Sequence, residues 1–365
     1  MVRGDRLATE GDERGRPTTG AAGPKEKLMS IRWRDAMEQA LYGPGGFFVS
    51  GAGPADHFRT SVHASPAFAA VLHRLIATVD AALNHPDPLT VVDVGAGRGE
   101  LLRTLHASIA GATDTSLAHR LRLTAVERAP RPTDLPAEIH WTREIPAGVT
   151  GLLLATEWLD NVPLDLAAAT PAGWRYLLVH PATGEETVGG PVSPEDADWL
   201  ARWWSPPADD PGIRAEIGRS RDDAWANAVG RLDRGLAVAV DYGHLRQTRP
   251  GAGTLTGYRN GRQVPPVPDG SCDVTAHLAV DSVAAAGTRV AQVPYTLVSQ
   301  RTALRALGAD GRRPPLARAS TDPAGYLRAL SAASAVAELI DPAGLGGHWW
   351  LLQPAGVALD PLVAP

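Results

Sequence analysis

In TVVDVGAGRGELL (90–102) an apolar run closes on Asp93, followed by Gly95, Gly97 and Gly99 at alternate positions with Ala96 between the first two. A strand ending this way turns on bare backbone. Gly95 and Gly97 let the chain bend and a ligand touch the main chain, and Gly99 lets the following helix pack closely. The dinucleotide fingerprint G-x-G-x-x-G needs a glycine at position 100, where this chain has Glu100. A pyrophosphate favours a helix N-terminus for its free N–H groups and dipole, and a glutamate in the first turn competes for the same field. The pattern therefore predicts a ligand without phosphates. S-adenosylmethionine meets that condition, with a sulfonium, an ammonium, a carboxylate and two ribose hydroxyls. About thirty residues after Gly97, LTAVERAP predicts a strand ending in Glu127, whose carboxylate can accept from both hydroxyls at the sheet's carboxyl edge. The alternative is a tight strand-to-helix turn beside a surface carboxylate.

Methyl transfer from such a ligand is an in-line displacement, so the protein must chiefly hold nucleophile and methyl aligned, an effect worth roughly 7–11 kcal/mol. Glu157 and Asp160 follow the apolar strand GLLLA three residues apart, and a helix from about 157 would project both from one face. Those acids also suit a plain helix N-terminus. Asp241, Tyr242 and His244 follow the strand GLAVAV on the same predicted rim. Asp241 is the candidate to orient the acceptor and His244 the candidate to take its proton, although Asp-Tyr-Gly also suits a simple turn. Thr60 and Ser61 are candidates to close over the cofactor. Asp273 and His277, four apart, fit one helix face and read best as a structural pair. Trp199, Trp203 and Trp204 read as core, with a docking face for a protein substrate as the alternative.

The bulk composition narrows the chemistry further. Lys25 and Lys27 are the only lysines, both in a polar N-terminal stretch, so a Schiff base or a P-loop lysine is implausible. No HExxH, no GxSxG and no metal-ligand spacing occurs among the eleven histidines. With 35 basic and 40 acidic side chains, a net charge of −5 and no long like-charge block, a nucleic-acid footprint is absent. Cys272 is the only cysteine, excluding an internal disulfide framework and favouring a reducing, cytoplasmic setting. No apolar run approaches the roughly 20 residues of a membrane span, and no signal-peptide core precedes the chain's body.

The elements that must position these residues follow from the periodicity. Residues 1–28 read as a disordered tail, with acids interleaved among its arginines, and Ser30 reads as the cap of a helix over 31–42, making Met29 a candidate translation start. A helical N-terminal region (29–88) is predicted, with a second helix from Pro66 to Leu83, followed by a domain over 89–365. Within that domain, strands are expected at 90–94, 121–126, 139–141, 151–155 and 235–240 and a helix at 99–110. TRVAQVPYTLV (288–298) and GHWWLLQP (347–354) also read as strands. The runs GLLLA and GLAVAV lack period-2 alternation, which signals strands covered on both faces, hence a doubly wound, mostly parallel α/β sheet. Residues from about 162 to 210 break the pattern as an insertion after the fourth strand.

These motifs together resemble the MidA-type methyltransferases, a family that includes a mitochondrial complex I assembly factor methylating a protein arginine. The similar segments run in order from Tyr42 to about Gly308. They include YGPGGFF, FRTSVHASPAF (58–68), VDVGAGRGELL, ATEWLDNVPLD (155–165), VDYGH (240–244), GTLTGYR (253–259), DVTAHLAV (273–280) and SQRTALRALG (299–308). The resemblance implies a Rossmann-like class I S-adenosylmethionine-dependent methyltransferase fold and transfer to a protein side chain, arginine in the family. Carboxylates such as Glu157 and Asp160 would then steer a cationic guanidinium. Two departures stand out: Val62 and His63 replace the family's Pro-Glu, and Thr156 replaces an asparagine. Two other functions remain open, methylation of a small molecule and a catalytically silent, cofactor-binding assembly protein.

Overall fold

The computed structural model describes residues 29–49, 66–110, 115–204 and 213–357. The 1–28 tail, Thr60, Ser61 and the departures at Val62 and His63 lie outside the described residues.

The central sheet contains β2 (Leu89–Val94), β3 (Leu121–Val126), β4 (Ile139–Thr142), β5 (Val149–Thr156), β10 (Leu232–Asp241), β16 (Thr296–Ser299) and β17 (Trp349–Ala355). Its order is β16-β17-β10-β5-β2-β3-β4. From β4 to β10 neighbours are parallel, whereas β17 runs antiparallel to both β10 and β16. The chain starts mid-sheet at β2, winds outward through β3 and β4, then returns to β5 on the other side. Between the carboxyl ends of β2 and β5 lies the point where the winding reverses, which opens a crevice in such sheets.

The unalternating apolar strands are explained by cover on both faces. On one face pack α2 (Pro66–Ala82), α3 (Glu100–Ala110), α8 (Gln300–Ala306) and α10 (Pro323–Leu339), around Phe68, Leu72, Leu102 and Trp350. On the other lie α6 (Arg219–Val229) and α7 (Val280–Ala291), with Trp225 and Val283 against Leu153 and Ala237. Two short helices, α4 (Thr115–Arg120) and α9 (Arg318–Thr321), serve as connectors. Gly151 on β5 and Gly235 on β10 lie side by side in register at φ +143° and +146°. A Cβ on Gly235 would fall 1.9 Å from the Gly151 carbonyl oxygen, so only glycine permits the approach.

The insertion is a second, antiparallel sheet: β6 (Asp165–Thr170), β7 (Gly173–Val179), β8 (Glu186–Pro191) and β9 (Arg214–Ile217), joined by β1 (Ile31–Arg32). Its helix α5 (Pro194–Trp203), capped by Ser193, carries the tryptophans, and Trp199 and Trp204 are buried in a core with Ile217. Against this sheet packs α1 (Trp33–Tyr42), with Trp33 and Met37 on Leu166 and Val179. A three-stranded piece of β12 (Thr256–Arg259), β13 (Arg262–Val264) and β14 (Asp273–Thr275), and the parallel pair β11 (Gly243–His244) and β15 (Leu278–Ala279), fill the space between the sheets.

Four local expectations are corrected. Helix α1 begins after the strand residues Ile31 and Arg32, so Ser30 is not its cap. No helix follows 157: Glu157 takes a left-handed φ of +50°, a single 3-10 turn spans Leu159–Asn161, and the chain leaves into β6. Over 288–298, residues to Ala291 finish α7, leaving only β16 as strand. Asp273 lies on β14 and His277 in the loop after it, so they share no helix face.

Candidate functional site

A cavity of ≈ 780 Å³ opens at the carboxyl edge of the central sheet, over the reversal point. Its floor is the glycine bend. Gly95 (φ +73°) and Gly97 (φ +57°) line it, and a Cβ on Gly95 would strike the Trp158 ring at 2.8 Å. Gly99 faces away, its missing Cβ making room for Leu135 2.8 Å off, so it serves packing rather than the cavity lining. The bend is held by the next strand: Gly95 N and Ala96 N donate to the Val126 carbonyl at 3.0 and 3.2 Å. Gly97 N donates to Glu127 Oε2 at 3.0 Å.

Glu127 Oε1 accepts from the backbone N–H groups of Arg128 (2.6 Å) and Ala129 (3.1 Å). Among the described residues only Gly97 donates to Oε2, and a carboxylate oxygen has a second lone pair to offer a hydroxyl. Glu100 Oε2 accepts from Arg98 N at 2.9 Å, so the glutamate occupies the anion-binding end of α3 itself. Asp93 is buried in the cavity wall. Burial, reinforced by the nearby charges of Glu100 and Glu127, pushes its carboxyl up to about 8. Three acids around a bare bend favour a cationic ligand and penalise a phosphate.

Beyond β5 and β10 the cavity wall is acidic again. Glu157 continues the ladder, its N–H donating to the Val240 carbonyl at 2.8 Å, and its left-handed backbone turns the chain over the cavity. Asp160, 3% exposed, accepts at Oδ2 from the Tyr242 hydroxyl and from Thr275 Oγ1 (2.8 Å), whereas its Oδ1 is buried without a hydrogen bond to any described residue. Thr156 Oγ1 is likewise buried without a partner. Buried polar atoms are rarely left so, and both residues line the cavity. Asp273 takes Asn161 Nδ2 at 2.7 Å, and burial beside Asp160 lifts its carboxyl well above the usual range. Asp160, Asp241 and Asp273 make no ion pair with any described residue.

The Asp241 carboxylate stands behind this wall rather than in it. Its oxygens accept from Asp160 N (3.2 Å) and Tyr242 N (3.0 Å), so it fixes the two residues that do line the cavity; burial and Asp160 raise it well above the usual range. His244 is also separated from the cavity. Its ring is edge-on to Trp204, Nδ1 lies 2.7 Å from the Arg249 guanidinium, and burial drives it down to about 3. An acceptor's proton has no direct route to it. The predicted rim therefore splits, with Glu157, Asp160 and Tyr242 at the cavity and Asp241 and His244 behind it.

Sequence reasoning missed Tyr42, Trp158, Arg221 and His348, and it read Asp273 and His277, which both line the cavity, as a structural pair. Tyr42 lines the cavity and donates to the Asn161 carbonyl at 3.2 Å. Arg221, 1% exposed on α6, donates to the backbone carbonyls of Val162 (3.1 Å), Ala276 (2.9 Å) and His277 (3.2 Å) and to that of Asp160, tying the post-β5 turn to the 276–277 loop. An arginine inside RSRDDAW gives no sign of burial in the sequence. The rings of His277 and His348 flank Tyr242 at 5.0 and 5.5 Å. Among the described residues no His, Cys, Asp or Glu cluster could hold a metal ion, and no helix is long and apolar enough to cross a membrane.

Comparison with known proteins agrees with this geometry. A crystal structure of a superfamily member and "likely methyl transferase" from Burkholderia thailandensis, bound to S-adenosyl-homocysteine, is 25% identical. It has a TM-score of 0.74 over 91% of this chain and 89% of that one. An uncharacterised protein of that superfamily from the same organism, 24% identical, matches with a TM-score of 0.70 over the same shares and supports the fold. No curated protein sequence matches. Residues 71–296 match the family described as "putative S-adenosyl-L-methionine-dependent methyltransferase", well over half the chain, and with the phosphate-free, acid-ringed bend this places the protein in that family, with S-adenosylmethionine as its cofactor.

Proposed function

We propose that the chain transfers the methyl group of S-adenosylmethionine to a protein side chain, with arginine the acceptor favoured by the family resemblance. The sheet order 4-3-2-5-10-17-16, with only the last two strands breaking the parallel run, supports a Rossmann-like class I arrangement. In it, Asp93, Gly95, Ala96, Gly97 and Glu127 hold the cofactor and Glu157, Asp160 and Tyr242 face the acceptor. Methyl transfer needs no covalent protein intermediate; the cofactor supplies an electrophilic carbon, and the protein supplies alignment.

The observation that carries the acceptor reading is the acid-rich wall, whose carboxylates form no ion pair with a described residue. Asp160 Oδ1 lacks a partner among the described residues, and neither the Asp160 nor the Asp273 carboxylate makes an ion pair there, since the buried Arg221 guanidinium beside them donates to backbone carbonyls, that of Asp160 included. A guanidinium is cationic at any physiological pH and presents five donors, so it satisfies such a wall where a neutral or anionic acceptor would not. Tyr242 and Tyr42 add aromatic surface for a planar cation.

The test is transfer of labelled methyl from S-adenosylmethionine to lysate proteins, followed by acid hydrolysis and amino-acid analysis. Label in N-methylarginine, lost in Glu157→Ala, supports the reading. Label confined to small molecules replaces it with small-metabolite methylation. No label anywhere, despite cofactor binding, replaces it with a silent binding protein.

A further inference from the structure

Because β17 runs antiparallel to β10, its first residues rather than its last reach the carboxyl edge of the parallel strands, with Trp349 opposite Asp241. His348, immediately before that strand, thus enters the cavity wall beside Tyr242 although it lies more than a hundred residues later in the sequence. Its backbone is fixed by Gln300 N donating to its carbonyl at 2.7 Å.

The ring is oriented as well. His348 Nδ1 lies 2.8 Å from the Leu345 carbonyl oxygen. A carbonyl only accepts, so Nδ1 carries the hydrogen, and in the neutral ring Nε2 keeps the lone pair. Nε2 has no hydrogen-bond partner among the described residues, and the side chain lines the cavity. A base within a site, oriented by a second group through its far nitrogen, is the arrangement general-base histidines require. The other candidates lack one part of it. His244 is walled off against Trp204 and Arg249. His277 lines the cavity, yet no hydrogen bond from a described residue fixes its ring.

We propose that His348, through Nε2, takes the proton that the methyl acceptor must lose. The inference rests on the methyl-transfer reading above. The acceptor's N or O lone pair forms the bond to the methyl carbon, and the carbon–sulfur bond breaks with its electron pair going to sulfur. The proton of the acceptor's N–H or O–H passes to Nε2, and the resulting imidazolium returns it to water. Among the titratable groups that line the cavity, Tyr242 packs against the His348 ring and His277 interacts with it electrostatically, while Asp160 reaches it only through its hydrogen bond with Tyr242.

The experiment compares the parent with His348→Ala, His348→Asn and His277→Ala, using tritiated S-adenosylmethionine with lysate protein as acceptor, and calorimetric binding of S-adenosylhomocysteine. His348→Asn keeps a donor for the Leu345 carbonyl while removing the basic lone pair, which guards against a folding artefact. Both His348 variants are expected to transfer methyl about 100-fold more slowly than the parent, with S-adenosylhomocysteine affinity within about twofold. Added imidazole is expected to restore His348→Ala by about tenfold and to leave the parent and His277→Ala unchanged. Parent-like rates in His348→Asn, or imidazole rescue of His277→Ala alone, overturn the assignment. If the parent binds the product but transfers nothing, the methyl-transfer reading fails first and the proton acceptor falls with it.

Discussion

Glu127 shows how one side chain serves both architecture and recognition. It ties the glycine bend to the end of β3 through Gly97 and keeps an acceptor position toward the cavity. Glu127→Ala is expected to weaken S-adenosylmethionine binding by about 1.5–3 kcal/mol, roughly 10- to 150-fold in Kd, read by calorimetry. Asp93 gives a pH signature. Its folded value, about 8, lies above the ordinary 3.8, so the folded ligand-free protein holds a proton that the unfolded chain releases. The contribution is fully present below pH 3.8 and is lost as pH rises through about 8. Each unit within that window removes up to about 1.4 kcal/mol of stability. Ligand-free melting temperatures should therefore fall on raising the pH from 5 to 8, and Asp93→Asn should flatten the slope; equal slopes in the two proteins would refute the assignment. The glycine turn and Glu127 were legible because strand end, bend and acid are local patterns. His348 was not, since only the direction of β17 brings it to the rim, and spacing does not encode direction.

Among the elements, β5 and β10 carry the most constraint. Gly151 and Gly235 allow their backbones to meet at the N-terminal side of the sheet, far from the chemistry. Gly151→Ala would set a Cβ 2.1 Å from the Thr90 carbonyl and strain a φ of +143°. A loss of about 3 kcal/mol or more in denaturant unfolding is expected, with residual protein still binding cofactor. The strands themselves were readable, since GLLLA and GLAVAV are apolar without alternation, and the boundaries of β3 coincide with those expected. The segment after β5 was misread as a helix because Glu157 and Asp160 resemble a helix N-terminus. The tertiary demand for a left-handed turn at Glu157, sealed by the β10 carbonyl of Val240, overrides that local preference.

For the molecule as a whole, the joint between the central sheet and the inserted one is polar where the cavity needs rigidity and apolar elsewhere. Arg221 gathers four backbone carbonyls from the post-β5 turn and the 276–277 loop. Trp33 and Met37 seal the outer side against Leu166 and Val274. Arg221→Met keeps the bulk but removes the donor that ties these carbonyls together, leaving that of Asp160 only the longer bonds from Ala276 N and Thr275 Oγ1. It is expected to cost about 3 kcal/mol or more in thermal unfolding and to lower methyl transfer in the surviving fraction, since Asp160 loses its support. Undiminished activity in a folded Arg221→Met protein would show that the turn holds itself. The burial of this arginine was invisible in the sequence because its partners are main-chain oxygens far along the chain, which no side-chain pattern records.

The antiparallel course of β17 has a consequence for biosynthesis. β16 finds its place in the central sheet through β17 alone, and β17 is also the neighbour that covers the free side of β10. Because β17 follows every other strand of the central sheet in the sequence, the free side of β10 and the His348 corner of the cavity can close only once that strand has been made. A chain terminated between β10 and β17 would retain the glycine bend and Glu127 but lack His348 and the strand that covers β10.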